Sequence, residues 1–401
     1  MALSPDARPD DIGAFRRQLH AHPELSASEH GTARRVADRL EALRDLWPDA
    51  APRVVTGLGT MGTGICAVFE GSKAGPTVLL RCELDGLPIE ERNDFAHRSV
   101  TPGVSHKCGH DGHMATLVAV AERLCEQPLE SGRTLLLFQP AEETGAGAAA
   151  VLEDPRFSAL GAPDHVYAFH NVPRHPLGTV LLRRGTFAQA SVGFIVRFAG
   201  RTSHSSYPEH GLNPSAAVTA LVNAVNGLGE TAAGWAEAPV LGTVTWAHIG
   251  SPLTGSNFGI APGEGCVTGV LRAQKTADLE AARQRVAELA DRLASEAGLG
   301  RSLDWHEAFA ATESTDEAVA VVRRAAGRAG LPVVEPVEPF RWSEDFGRFT
   351  QRFPGAFFGL GSGLEQPQLH DGRYDYPDDL IAPGARLYRA IIDEHLASPD
   401  G

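Results

Sequence analysis

The chain has 401 residues, 43% of them hydrophobic and 21% charged, with a net charge of −14. That length allows two domains, and the composition is that of a packed soluble protein, which excludes disordered and collagen-like chains. The acidic balance excludes a general nucleic-acid surface, which needs basic groups against phosphate.

No stretch approaches the ~18 consecutive apolar residues of a membrane span. The opening MALSPDARPDD lacks the basic-then-apolar pattern of a secretory signal, so a cytoplasmic protein is expected, with no membrane partner. Five cysteines (Cys66, Cys82, Cys108, Cys125 and Cys266) do not read as a disulfide framework. All but Cys108 sit in apolar or small-residue surroundings and are expected to be inert.

In chain order, residues 11–20 and 28–46 read as helices, the second with Val36, Leu40 and Leu43 on one face. Short β-type runs follow at 53–55, 64–69 and 77–82. The third breaks at Gly86 and Pro88, which places Asp85 just past a strand end. GLGTMG has the GxGxxG spacing at Gly57, Gly59 and Gly62. A β-type run follows it where a dinucleotide site needs a helix, so it reads as a turn. Residues 111–126 form a helix, TLLLFQPAEE a buried strand with two acids after it, and 164–170 a strand ending in a histidine. Alternating strands and helices imply an α/β domain with a mostly parallel sheet and helices on both faces. Sites in such sheets form at the carboxyl ends of strands. Asp85, Glu142, Glu143 and His170 fall there.

From about residue 187 the order becomes β-α-β-β-α-β. The strands are SVGFIVRFAG, LGTVTWAHIG, GCVTGVLRA and RSLDWHEAFA, and the helices 213–229 and 276–298. An α/β pattern resumes after about 310, with a helix at 315–329, a strand at 356–360 and a helix near 378–396. The simplest organisation is an α+β domain, 187–308, inserted into a catalytic domain of 1–186 and 309–401.

The chemistry concentrates in HKCGHDGH, where His106, His110 and His113 surround Cys108. A thiolate and imidazoles at a loop-to-helix boundary are ligands for zinc and its neighbours. The adjacent Glu142 and Glu143 point in different directions, so one can hold a metal while the other works on a water. Two metals sharing an anionic ligand polarise a carbonyl and lower the pKa of a water to roughly 7. A glutamate that moves the proton to the leaving nitrogen completes amide hydrolysis. Neither a GxSxG elbow nor a P-loop offers another mechanism.

At this point the sequence resembles the dinuclear-metal amidohydrolases of the aminoacylase and carboxypeptidase superfamily. It is most similar to the branch of hippurate hydrolases, N-acyl-amino-acid amidohydrolases and auxin-conjugate hydrolases. The resemblance rests on FRRQLHAHPELSASEHGTA, LRCELDGLPI, HKCGHDGHMA, FQPAEETGAGA, AFHNVPRHPLGTV, GRTSHSSYPEHGLNP, PGEGCVTGVLR, SEDFGRF and LHDGRYDYPDD. It implies two divalent ions per chain, zinc first with manganese, cobalt or nickel as alternatives, bridged by Cys108. His110, Glu143, His170 and His370 complete the shell. It implies Glu142 as general base, Asp85 as the residue orienting a ligand, and His204 as oxyanion donor. It also implies an N-acyl-amino acid or related amide as substrate, and a homodimer formed through the inserted lid domain, with His204 able to act across the dimer. Glu344 and Asp345 in SEDF, and His106 and His113, read as supporting residues. Two departures stand out. Glu83 occupies a position where relatives commonly carry Asp. Gly259 precedes Pro262 at the spacing where relatives carry Asn, with Asn257 two residues further back. A dipeptidase or aminopeptidase, and a catalytically silent metal-binding homologue, are the alternatives.

Overall fold

The computed structural model describes residues 12–229, 240–250 and 257–396. The chain opens with α1 (Ile12–Ala21), α2 (His30–Glu41) and the short α3 (Leu43–Leu46). The helical pattern over 28–46 is thus interrupted at Ala42, and its start is delayed to His30. The Glu24 carboxylate accepts from the amides of Gly31 (3.0 Å) and Thr32 (2.6 Å) and so serves the new N-terminus. α3 stops at Trp47, whose backbone (φ −133°, ψ 70°) has left the helical region that the following proline disfavours.

Strands β1 (Arg53–Leu58), β2 (Gly64–Glu70) and β3 (Lys73–Glu83) follow, then α4 (His110–Glu126), β4 (Ser131–Gln139), α5 (Gly147–Leu152), α6 (Pro155–Ser158) and β5 (His165–Val172). Gly57 near the end of β1, and Gly59 and Gly62 in the turn to β2, are all at positive φ, which is why a glycine-rich run sits there. After β6 (Val180–Leu181), β7 (Gly185–Ala188) leads into β8 (Ala190–Ala199), β9 (Ser203–His204), α7 (Ser215–Asn226), β10 (Leu241–Ile249), β11 (Ile260–Ala261), β12 (Glu264–Ala273), α8 (Thr276–Ala297) and β13 (Gly300–Phe309). The chain finishes with β14 (Thr312–Ser314), α9 (Asp316–Ala329), β15 (Val333–Val334), α10 (Gly347–Thr350), β16 (Gly355–Gly361) and α11 (Ile381–Leu396).

Two compact units result. The first takes the chain through Phe187, Thr312–Glu338 and the chain from Asp345; the second takes Ala188–Ala311 and Pro339–Glu344. The first carries an eight-stranded sheet, β1-β2-β4-β3-β5-β16-β6-β15. Its centre, β4-β3-β5-β16, is parallel throughout, while β1, β2 and β6 join antiparallel. Val78, Leu80 and Cys82 of β3 pack into the core that holds α4, α9 and α11. Leu79 and Arg81, pointing the other way, are equally buried. A strand covered on both faces is the mark of an α/β sheet.

The second unit is a four-stranded antiparallel sheet, β10-β12-β8-β13, reached in β-α-β-β-α-β order. Val192, Phe194 and Val196 alternate inward against Leu221 and Val225 of α7 and Ala282 and Val286 of α8. Among the described residues no helix is long and apolar enough to cross a membrane.

Candidate metal centre

Because β4, β3 and β5 are parallel neighbours, their carboxyl ends open side by side. β3 releases the chain two residues before Asp85, β4 three residues before Glu142, and β5 carries His170 near its end. α4 starts against the same edge, with His110 in its first turn. Gly109 allows that start: its φ is +94°, and a Cβ there would lie 2.6 Å from the Asn171 side chain.

Two imidazoles are aimed by backbone carbonyls. His110 Nδ1 donates to the Asp85 carbonyl (2.8 Å) and lies 3.3 Å from Asp85 Oδ1. His170 Nδ1 donates to the Asn171 carbonyl (2.9 Å). In both rings the lone pair therefore sits on Nε2 when the ring is neutral, and both Nε2 atoms face the site. His170 Nε2 is 3.2 Å from Cys108 Sγ. His110 Nε2 is 3.8 Å from Glu142 Oε2 and 3.9 Å from Glu143 Oε1. His370 reaches in from a loop, held at φ +67° with its amide donating to the Lys107 carbonyl (2.9 Å). Its Nε2 is 3.8 Å from Glu143 Oε1. Asp85 braces the other side, where its Oδ2 accepts from Ser26 Oγ (2.7 Å) and the Glu143 amide (3.0 Å).

The donor atoms of Cys108, His110 and His170 lie within 4.8 Å of one another, as do those of Cys108, Glu143 and His370, and of His110, Glu142 and Glu143. Cys108 belongs to two of these groups. His110 Nε2 and Glu143 Oε1 are buried with no hydrogen-bond partner. Burial raises the Cys108 thiol far above its ordinary range, and the charges of Glu143 and Glu142 raise it further. Burial pulls His110 down, but the hydrogen bond it donates to Asp85 and the charges of Glu83, Asp85 and Glu143 push it up to about 10. Glu143 is raised to about 7 by burial and by Asp85, against the pull of His110. The site is short of positive charge. A thiol, imidazoles and carboxylates arranged this way fit divalent metal ions, whose binding displaces those protons.

Over residues 79–394 the chain matches peptidase family M20/M25/M40. It belongs to that family. This M20 chain is 30% identical over 363 residues to the N-acetyl-L-cysteine deacetylase of Bacillus subtilis, covering 90% of this chain and 81% of that one. It is 29% identical over 395 residues to thermostable carboxypeptidase 1 of Saccharolobus solfataricus, covering 96% and 94%. Its fold matches the crystal structure of a dinuclear metal binding peptidase of the M20 family from Bacillus subtilis. The TM-score is 0.78 at 22% identity, over 98% of this chain and 99% of that one. The M20 chain is accordingly a hydrolase of the amidohydrolase and peptidase type.

The other expected residues have these surroundings. His204 is exposed in β9 of the second unit, and its Nδ1 accepts from the Ser206 amide (3.1 Å). Its proton is thereby placed on Nε2. Asn257 is exposed, with its side chain accepting from the Gly259 amide (3.0 Å). Asp345 is fully buried, paired with Arg81 and accepting from Gln139 Nε2 (2.8 Å) and the Ala148 amide (2.8 Å), while Glu344 is buried in the second unit. His113 pairs with Glu83 (2.6 Å), which also meets Arg81. His106 is buried with neither ring nitrogen partnered. Cys66, Cys82 and Cys125 are buried, whereas Cys266 is only partly covered. Ser26 and Glu29 carry no chemical motif that marks them, and only their place in the HPELSASE run flags them.

Proposed function

We propose that the protein hydrolyses the amide bond of N-acyl-amino acids or closely related amides with two divalent ions. Cys108 would bridge the ions, with His110, Glu143, His170 and His370 completing the shell. The observation that carries this reading is the sharing of Cys108 between two groups of donors, beside a buried carboxylate, Glu142, that neither of those groups includes. When bound, the ions supply Lewis acidity and lower the pKa of a water. Glu142 accepts the proton of the attacking water and returns it to the leaving nitrogen. Asp85 keeps His110 turned so that Nε2 faces the site. His204, with its proton on Nε2, donates to the oxyanion of the tetrahedral intermediate. Because His204 belongs to the second unit, domain closure or a second copy of the chain delivers it, and we propose a homodimer.

Turnover of N-acetyl-amino acids, N-benzoyl-amino acids and dipeptides, with and without chelator, tests the reading. The expected result is chelator-sensitive release of amino acid from the N-acyl substrates. Preference for dipeptides with a free amine favours a peptidase instead. Full turnover after complete metal removal ends the proposal.

A further inference from the structure

Glu29 stands at the N-cap of α2, yet its side chain makes no cap hydrogen bond. Glu24 performs that service for Gly31 and Thr32. Glu29 instead turns inward and is fully buried. Its Oε1 accepts from the amides of Ala27 (2.9 Å) and Ala141 (2.8 Å), and its Oε2 accepts from Thr63 Oγ1 (3.0 Å). Ala27 and Ala141 are both non-glycine residues in the left-handed region, at φ +65° and +50°. That region is unfavourable for a residue with a Cβ, and it persists only where the surroundings hold it.

Ala141 directly precedes Glu142. Its conformation sets the direction in which the chain leaves β4, and so how Glu142 and Glu143 diverge. The same loop also touches the exit of β3: Gly86 donates to the Glu24 carbonyl (2.8 Å), and Ser26 donates to Asp85. The 24–29 segment therefore grips both strand ends from which the candidate site is built.

We infer that Glu29 is a positioning residue for Glu142, its carboxylate holding Ala141 in the left-handed conformation that aims the base. The inference rests on the reading of Glu142 as general base. A displacement of the base by about 1 Å is enough to cost about 100-fold in rate.

The test is a double-mutant cycle on Glu29→Gln and Ala141→Gly. A Gln in the same pose keeps an oxygen on both amides and turns its nitrogen toward Thr63 Oγ1, a hydroxyl that accepts as well as donates, so what it removes is the negative charge that strengthens the two amide bonds. Glycine adopts positive φ at no steric cost, so it removes the need for the clamp. Glu29→Gln is expected to lower kcat at least ~10-fold, with KM within about threefold and metal content kept. Adding Ala141→Gly is expected to restore at least about threefold of that loss. A residue that served stability alone would leave the kcat of folded Glu29→Gln unchanged, and the glycine would then act on melting temperature only, by relieving strain at a positive φ. If Glu29→Gln does not fold, Thr63→Val removes one of the three contacts and is read against Ala141→Gly in the same way. Glu142→Gln is measured in parallel. Wild-type turnover there overturns the base assignment and this inference with it. An inactive Glu142→Gln beside a Glu29→Gln of wild-type kcat, or a cycle with no rescue, overturns this inference alone.

Discussion

The segment 106–113 looks in two directions, and the two sides differ in charge balance. On one side Asp111 Oδ2 meets Arg16 (3.0 Å) and His20 Nδ1 (2.8 Å). His20 Nε2 meets Glu91 (3.1 Å), Lys107 pairs with the same Glu91, and Arg16 also holds Asp375 (2.6 Å) and Asp378 (2.7 Å). Each acid there faces a cation supplied by the chain. On the other side Cys108, Glu142, Glu143 and Asp85 converge with few cations of their own, and donor atoms of His110 and Glu143 stay unpartnered. A balanced buried network holds structure together, whereas a buried surplus of anionic donors calls for a cation from outside. His106 is a single orphaned imidazole by comparison: it is buried and unpartnered, and burial pushes it down to about 4.

Cysteine substitutions break this contrast most strongly. Cys108→Ala is expected to abolish turnover and lose bound metal by elemental analysis, while Cys125→Ala affects only thermal stability. Two retained metals in Cys108→Ala would remove the bridge. On the balanced side, Asp111→Ala leaves Arg16 and His20 without their buried partner. It should cost about 3–5 kcal/mol in denaturant unfolding, with kcat of the folded protein changed far less. Equal damage to both would merge the two sides into one site. Glu142→Gln should reduce kcat at least ~10²-fold, about 2.7 kcal/mol, with metal content intact. Wild-type turnover in that variant would remove Glu142 as the base.

The smallest effect concerns pH. Burial pulls His20 down, but Asp111 and Glu91 outweigh it and raise its pKa to about 9 from an ordinary 6.5. A raised folded-state pKa gives stability that is complete below ~6.5 and is lost as pH rises toward about 9. The melting temperature should decline over that window in the wild type, and the decline should flatten in His20→Gln. An unchanged slope would place the titration elsewhere.

What was legible in the sequence depended on distance along the chain. The long periodic segments of α4 and α8, and the alternating strands β8 and β12, follow from local pattern. The two-residue strands β6 and β15 do not, because two residues carry no period. The Cys108 cluster is legible because His106, His110 and His113 lie within eight residues around it. His370 was reachable only through family resemblance, since nothing local separates it from a solvated loop histidine. Its left-handed backbone and its proximity to Glu143 appear only in the fold. Glu29 likewise shows only as part of the HPELSASE run, and its role is not legible there because its partners Thr63 and Ala141 lie 34 and 112 residues away.

The pairing of β7 with β14 carries a consequence for chain entropy. These strands flank the whole stretch from Ala188 to Ala311, so joining them in an unfolded chain means closing a very long loop. Within the second unit, however, Ser191 is already opposite Phe309 in the register of β8 with β13. Once that register forms, only a few residues on each side separate β7 from β14, and the effective loop is short. Loop cost grows with the logarithm of length, about 0.6 kcal/mol per doubling. Insertions into the loops of the second unit therefore leave the closure of the first almost untouched, whereas slippage between β8 and β13 would reach it directly.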